Sequence, residues 1–297
     1  MGLAKSPTRS RMVDSRQIGT WTQVNEMNFH DETIGLYRWP GGEETTSSML
    51  LIHGLEENWD TWSTLAGRIC GRHQLYALDL PWRAQSNHVW AHRHSSVDVL
   101  RASLRMVPAS AQILVGHSFG ANTLLELLAE GIPHSPRGVV LVAPLCRPAT
   151  RTIDWDFFAE SIERFRSVMR AGLQVYLRGR DLGSSDRLIE LMLKGILERV
   201  EPAAFLAAFS LLTRAPELNR ARLGMPALVV SGTFDPSTTP DTMLALTQAL
   251  PKARLALSDQ FSHFCHIEQA AVVGALLEEF AVDLSVCALP GAPNLGS

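Results

Sequence analysis

Apolar and polar positions along the chain come in short blocks whose period alternates between two and about three and a half. "WTQVNEMNFH" and "TIGLYRW" alternate side by side, with Asp31-Glu32 between them, and predict a β-hairpin. "SMLLIHG" and "QLYALDL" are continuous apolar runs of strand length. Between them "WDTWSTLAGRI" has helical spacing, with Asn58 or Asp60 placed to cap its start. The alternation continues. "SSVDVLRASLRMV" predicts a helix capped by Ser95 or Ser96, "AQILVG" a strand, "ANTLLELLAEG" a helix closed by Gly131, and "RGVVLVAP" a further strand. Strands alternating with amphipathic helices predict a mostly parallel sheet with helices on both faces.

From Arg147 to Arg222 the strand signal stops and only helical stretches follow, among them "WDFFAESIERFRSVMRAGL", "DRLIELMLKGILERV" and "AAFLAAFSLLTRA". Afterwards "MPALVVSG", "TMLALTQAL", "ARLALS" and "AAVVGALLEEFAV" resume the α/β pattern. The reading is an α/β core over residues 18–146 and 223–284, interrupted by an all-helical cap over 147–222. Residues 1–17, polar and basic, read as a disordered arm, and the Pro/Gly-rich residues 285–297 as a flexible tail. Ligands of open parallel sheets bind at the carboxyl ends of the strands, so the inserted block is expected to cover a pocket.

Hydrophobic residues make up 46% of the chain and charged residues 19%, enough apolar material for a sizeable core. A net charge of −3 lacks the basic footprint of a nucleic-acid binder. Cys70, Cys146, Cys265 and Cys287 have neither C-x-x-C nor metal-ligand spacing and read as reduced thiols of a cytoplasmic protein, a disulfide pair being the alternative. No apolar run reaches the ~18 residues of a membrane span, and no signal-peptide core is visible at the N-terminus. "MGLAKS" fits only the loose myristoylation pattern.

Candidate chemistry centres on Gly116-His117-Ser118-Phe119-Gly120, a G-x-S-x-G match between a predicted strand and a predicted helix. That is the setting in which a sharp turn exposes a serine oxygen. A serine hydroxyl needs a base, and the base an orienting acid. "VVSGTFDPS" places Asp235 just past a strand end, while the other strand end that could carry the acid holds Leu145 and Cys146. "DQFSHFCHIE" places His263 after the last strand, with His266, read as a first-turn helix residue, as its competitor.

With Ser118, Asp235 and His263 in that order, the chain resembles the α/β-hydrolase family from about Trp21 to Asp283. "HGLEENWDTW" is similar to the family's His-Gly loop, followed by Trp62, and "HFCHIE" to its His with Glu268 five residues on. The resemblance implies an eight-stranded, mostly parallel sheet and an oxyanion hole built from the backbone N–H groups of Leu55 and Phe119. It implies no metal and no organic cofactor. The sequence departs from the family at "DLPWRAQS", where Trp82 and Ala84 replace customary glycines, and at Ser262 before the histidine. A serine at the elbow also excludes the branches with an aspartate nucleophile.

His88, His92 and His94 have an H-x3-H-x-H spacing but no adjacent carboxylate, and read as an exposed polar loop rather than a metal site. Trp155, Phe157 and Phe158 read mainly as packing of the cap. Trp155 and Phe158, with Trp82, are also the candidate substrate contacts. Cys265 is expected to point away from the site and to be inert. The expected function is hydrolysis of a carboxylic ester, lactone or thioester, with a small-molecule acyl substrate and neither nucleic acid nor membrane as partner. Acyl transfer or cyclisation on the same triad, or a ligand receptor on the same fold, are the alternatives; the oligomeric state is left open.

Overall fold

The computed structural model describes residues 19–41, 45, 47–109, 111–132, 135–178, 186–200, 202–218 and 222–286. The segment read as a disordered arm, with the MGLAKS pattern in it, lies outside the described residues. So do residues 287–297 of the segment read as a tail. The strands are β1 (Thr22–Phe29), β2 (Glu32–Arg38), β3 (Ser47–Ile52), β4 (His73–Asp79), β5 (Ala111–His117), β6 (Gly138–Val142), β7 (Ala227–Gly232) and β8 (Ala253–Ser258). They form one sheet in the order β1-β2-β4-β3-β5-β6-β7-β8. Pairing is antiparallel for β1–β2 and β2–β4 and parallel from β4 to β8. The hairpin turn is His30-Asp31, and Glu32 already belongs to β2.

The helices are α1 (Ser63–Ile69), α2 (Ser96–Ser103), α3 (Ser118–Glu130), α4 (Trp155–Arg178), α5 (Asp186–Val200), α6 (Ala203–Arg214), α7 (Pro240–Gln248), α8 (Cys265–Glu268) and α9 (Ala270–Val286). Local chemistry explains their ends. Asn58, not Asp60, caps the 3-10 turn that leads into α1, accepting from the Asp60 N–H at 2.9 Å. Ser95 caps α2 by accepting from the Asp98 N–H at 3.0 Å. Gly131 closes α3 with φ 104°. The last helix runs to Val286, two residues further than the core boundary expected at 284, because its apolar face continues through Leu284 onto the sheet.

Successive residues of the central strands feed opposite layers, as period two requires. Leu50, Ile52, Leu114 and Val229 pack with α2, α3 and α7. Met49, Leu51, Val115 and Val230 pack with α1 and α9. Both faces being covered explains why these strands read as unbroken apolar runs. A third cluster joins α4 and α5 and includes Phe264 from the core, so the cap is seated on the loop that carries His263. Arg214 of α6 also pairs with the buried Glu126 of α3 at 2.9 Å. No helix among the described residues is long and apolar enough to cross a membrane.

Candidate active site

Strand β5 ends at His117 and α3 begins at once with Ser118, which is held at φ 48°. A non-glycine residue in that region is strained, and such strain concentrates at functional turns. Gly120 permits the turn by close approach: a Cβ there would lie 2.4 Å from the His53 carbonyl oxygen. Asp235 follows β7, in a turn where Ser237 donates to its Oδ1 from both N–H (2.8 Å) and Oγ–H (2.6 Å). His263 follows β8. Its loop folds over the end of β7 because Gly232 has no side chain; a Cβ would sit 1.9 Å from the Phe261 carbonyl oxygen.

These three loops bring together the residues that the sequence placed far apart. His263 Nε2 lies 2.9 Å from Ser118 Oγ, and His263 Nδ1 lies 2.8 Å from Asp235 Oδ2. With Nδ1–H donating to the carboxylate, Nε2 is left to accept the Ser118 O–H. Burial alone would raise the Asp235 carboxyl. The electrostatic pull of His263 and the hydrogen bonds from His263 and Ser237 outweigh it and hold the group below the usual carboxylate range. The arrangement can therefore draw a proton from Ser118 while the carboxylate keeps the imidazole oriented.

The loop after β3 passes beside Ser118. Leu55 and Phe119 both line the cavity above it, and Phe119 N is a first-turn amide of α3, without an intrahelical acceptor. Glu57 N-terminally clasps this loop by accepting from the Gly54 N–H at 2.7 Å. It also faces His117 Nδ1 at 3.0 Å, and His117 Nε2 meets the His263 carbonyl oxygen at 2.9 Å. Burial would raise the Glu57 carboxyl, but the neighbouring charge of His117 and its hydrogen bond bring it down to about 2. Burial works against protonation of His117 as well, and Glu57 overrides it, so this imidazole is held above its ordinary value. His266 is buried beside them in α8, with its Nε2 3.8 Å from Glu57 Oε1. Burial first, and then the charge of His117, keep it well below the ordinary value, hence neutral. Glu57, His117 and His266 each bring a possible metal-ligand atom within 4.8 Å of the others. Both His117 nitrogens are already engaged, however, so an ion would have to displace one of these bonds.

A cavity of about 240 Å³ opens above Ser118 between the sheet and the cap. Phe157, Phe165, Phe205 and Phe209 form its wall, and Arg147, Arg151 and Arg164 lie at its cap side. The three expected substrate contacts need correction. Trp82 is fully buried and does not line the cavity. Its indole N–H donates to the His53 carbonyl at 3.0 Å, and its ring packs edge-on against Phe119 at 5.2 Å. Trp155 is 83% exposed, on the outer face of α4. Phe158 packs against Phe205 and Phe209 behind the wall, so the lining residue of that turn is Phe157. At helical spacing one residue rotates a side chain by about 100°, and only packing decides which of two adjacent phenylalanines faces in.

Other expectations shift too. His88 is not exposed: it is buried with Nε2 2.6 Å from Glu56 Oε1, and Glu56 also pairs with Arg199 of the cap. His92 is exposed, and His94 stacks on His30 at 4.3 Å, so the three histidines do not converge. Cys265 lies in helix rather than extended chain; its burial pushes the thiol up to about 12. Ser262, in place of glycine, donates to Glu268 Oε2 at 2.6 Å. Sequence reasoning missed Glu57, Ser237 and Asn122. Asn122 bridges to Leu145, donating to its carbonyl at 2.8 Å and accepting from its N–H at 2.7 Å. A lone amide in the apolar helix α3 was the available signal, as was the Asp-x-Ser turn pattern for Ser237.

The profile described as alpha/beta hydrolase fold matches residues 48–270, about three quarters of the chain. The chain belongs to the α/β-hydrolase fold family. Among curated relatives it is similar to 2-hydroxymuconate semialdehyde hydrolase of Pseudomonas sp. (strain CF600), 27% identical over 286 residues, covering 88% of this chain and 92% of that one. Among solved structures it is similar to a membrane phospholipase A described as a bacterial virulence factor, with TM-score 0.65, 16% identity and coverage of 90% and 87%. It is also similar to a meta-cleavage product hydrolase of Pseudomonas fluorescens IP01, with TM-score 0.60, 17% identity and coverage of 84% and 94%. At those identities the solved structures carry the α/β-hydrolase fold, and the curated relative's name supports hydrolase chemistry for this member of the family.

Proposed function

We propose that this α/β-hydrolase is a serine hydrolase of carboxylic esters, lactones or thioesters, with Ser118 as nucleophile, His263 as base and Asp235 as the acid that orients it. The observation that carries the reading is the continuous hydrogen-bonded chain Ser118–His263–Asp235 at 2.9 and 2.8 Å on a strained elbow. In this mechanism His263 takes the Ser118 proton as Oγ attacks the substrate carbonyl. The N–H groups of Leu55 and Phe119 then receive the oxyanion, a contribution of ~2.7–4 kcal/mol per donor in measured systems. Protonated His263 returns its proton to the leaving alcohol or thiol, and water repeats the sequence on the acyl-enzyme.

Fluorophosphonate labelling followed by a chain-length series of p-nitrophenyl esters and acyl thioesters tests this reading. 2-Hydroxymuconate semialdehyde, named for the curated relative, belongs on the same panel. Labelling that maps to a serine other than Ser118 would remove the assignment. The phenylalanine wall of the cavity favours a second reading, acyl transfer to an alcohol or amine from which water is excluded. Added alcohol that diverts most of the acyl group from hydrolysis would select it.

A further inference from the structure

Both ring nitrogens of His117 face acceptors: the Glu57 carboxylate at 3.0 Å and the His263 carbonyl oxygen at 2.9 Å. Neither partner offers a proton, so each nitrogen must supply one, and an imidazole with two N–H groups carries a full positive charge. His53 shows the contrasting case. Its Nδ1 meets the Gly54 carbonyl at 2.8 Å while its Nε2 accepts the Leu80 N–H at 3.0 Å, so one proton suffices and the ring is neutral.

We infer that His117 is a buried imidazolium, paired with Glu57, that acts as a positioning residue for the base by gripping the His263 backbone and placing a positive charge beside its ring. The protonation state stands on geometry alone; the consequence for turnover rests on the serine-hydrolase reading above. The ring centroids of His117 and His263 are 5.1 Å apart. The titratable groups facing His117 are Glu57 and His53 from β3 and its following loop, Asp235 after β7, His263 after β8 and His266 of α8.

One pair thereby ties three loops together. Glu57 holds the Gly54 N–H beside Leu55, His117 adjoins Ser118 in the chain, and His117 Nε2–H holds His263. Buried ion pairs are in general no more stabilising than apolar side chains of the same volume, so packing alone does not call for one here. The base must be neutral to take the serine proton. The His117 ring lies 5.1 Å from that of the base, and its Nε2–H holds the base's own carbonyl, so the pair fixes where the imidazole stands between Ser118 and Asp235.

Glu57→Gln removes both charges, because a buried His117 without its carboxylate gives up a proton, while the amide can still engage Gly54 and His117. In the wild type, side-chain nitrogen and carbon NMR at pH 8 is expected to show one histidine with both nitrogens protonated. That signal should be lost in Glu57→Gln and in His117→Gln. With p-nitrophenyl butyrate, both variants should lose rate through kcat and not through KM. The plateau kcat should fall about tenfold, with KM within twofold. Absence of a doubly protonated histidine in the wild type overturns the inference, whatever the activity. Its presence with wild-type kcat and only a lowered Tm in both variants reduces the pair to a structural one and overturns the positioning role. Should Glu57→Gln fail to fold, the wild-type spectrum and His117→Gln still decide. Loss of the serine reading would instead show as labelling that survives Ser118→Ala, which leaves the spectrum unaffected.

Discussion

The Trp82 indole N–H donates to the carbonyl of His53, across the segment that leads into the loop bearing Leu55. The same segment is stitched to that loop by Glu56 N–H to the Trp82 carbonyl at 3.0 Å and by Ala84 N–H to the Glu57 carbonyl at 2.8 Å. Trp82 therefore supports the loop bearing Leu55 from behind. Trp82→Gly should act on stability: emptying a buried indole site costs ~3–5 kcal/mol, roughly 5–10 °C in Tm for a chain of this size. A changed acyl-chain preference at unchanged Tm would put the indole at the cavity instead.

The cap should set substrate choice through Phe157 and not through Trp155. Phe157→Ala is expected to raise KM for aromatic and long-chain esters several-fold while fluorophosphonate reactivity stays near wild type, since the change touches binding and not the triad. Trp155→Ala, at an 83% exposed position, should leave both unchanged. The reverse outcome in a paired KM measurement would mean that the cavity runs along the other face of α4.

Ser118→Ala should fold normally, lose labelling and lower kcat by at least about a thousandfold. Asp235→Asn should lower kcat by about 10⁴, because the amide favours the wrong imidazole tautomer. Ser237→Ala is a milder probe of the same arm. It deletes the 2.6 Å bond to Asp235 Oδ1 but keeps the backbone N–H bond, so a loss of about tenfold in kcat, with KM unchanged, is expected. Wild-type kcat in Ser237→Ala would show that the turn orients Asp235 without its hydroxyl.

Buried groups predict how stability responds to acid. His53 is lowered by burial from 6.5 to about 4. Its contribution is complete above pH 6.5 and is lost as pH falls towards 4, on the order of 3 kcal/mol by linkage. Glu57 is brought from 4.5 to about 2. Its contribution is complete above pH 4.5 and is lost as pH falls towards 2. Asp79, raised by burial from 3.8 to about 6, gains stability over the same range, and His266, held well below its ordinary value, loses it as His53 does. The difference between wild type and His53→Gln isolates His53: the denaturant midpoint of the wild type should fall more from pH 7 to 4 than that of the variant, and identical pH profiles would contradict a neutral buried His53.

The order of strands and helices was legible in the chain because each signal is local: period two or three and a half, a capping Asn58 or Ser95, a closing Gly131. Ser118, Asp235 and His263 were legible for a related reason. Each sits at a strand end marked by its own turn chemistry, and the parallel sheet brings all such ends to one edge. Sequence also placed the helical block over that edge. What it could not supply was side-chain direction where two neighbours are chemically alike, as with Phe157 and Phe158. Nor could it supply the partner of a charge whose mate lies 60 residues away, as with Glu57 and His117. Trp82 was misplaced for the same reason: a bulky residue on a loop reads as exposed or cavity-facing until the packing of Trp90 and Phe119 around it is known. Periodicity and turn preference act within a few residues and are written in the chain. Burial, ion pairing and the protonation they impose depend on contacts that exist only once the sheet has closed and the cap has docked.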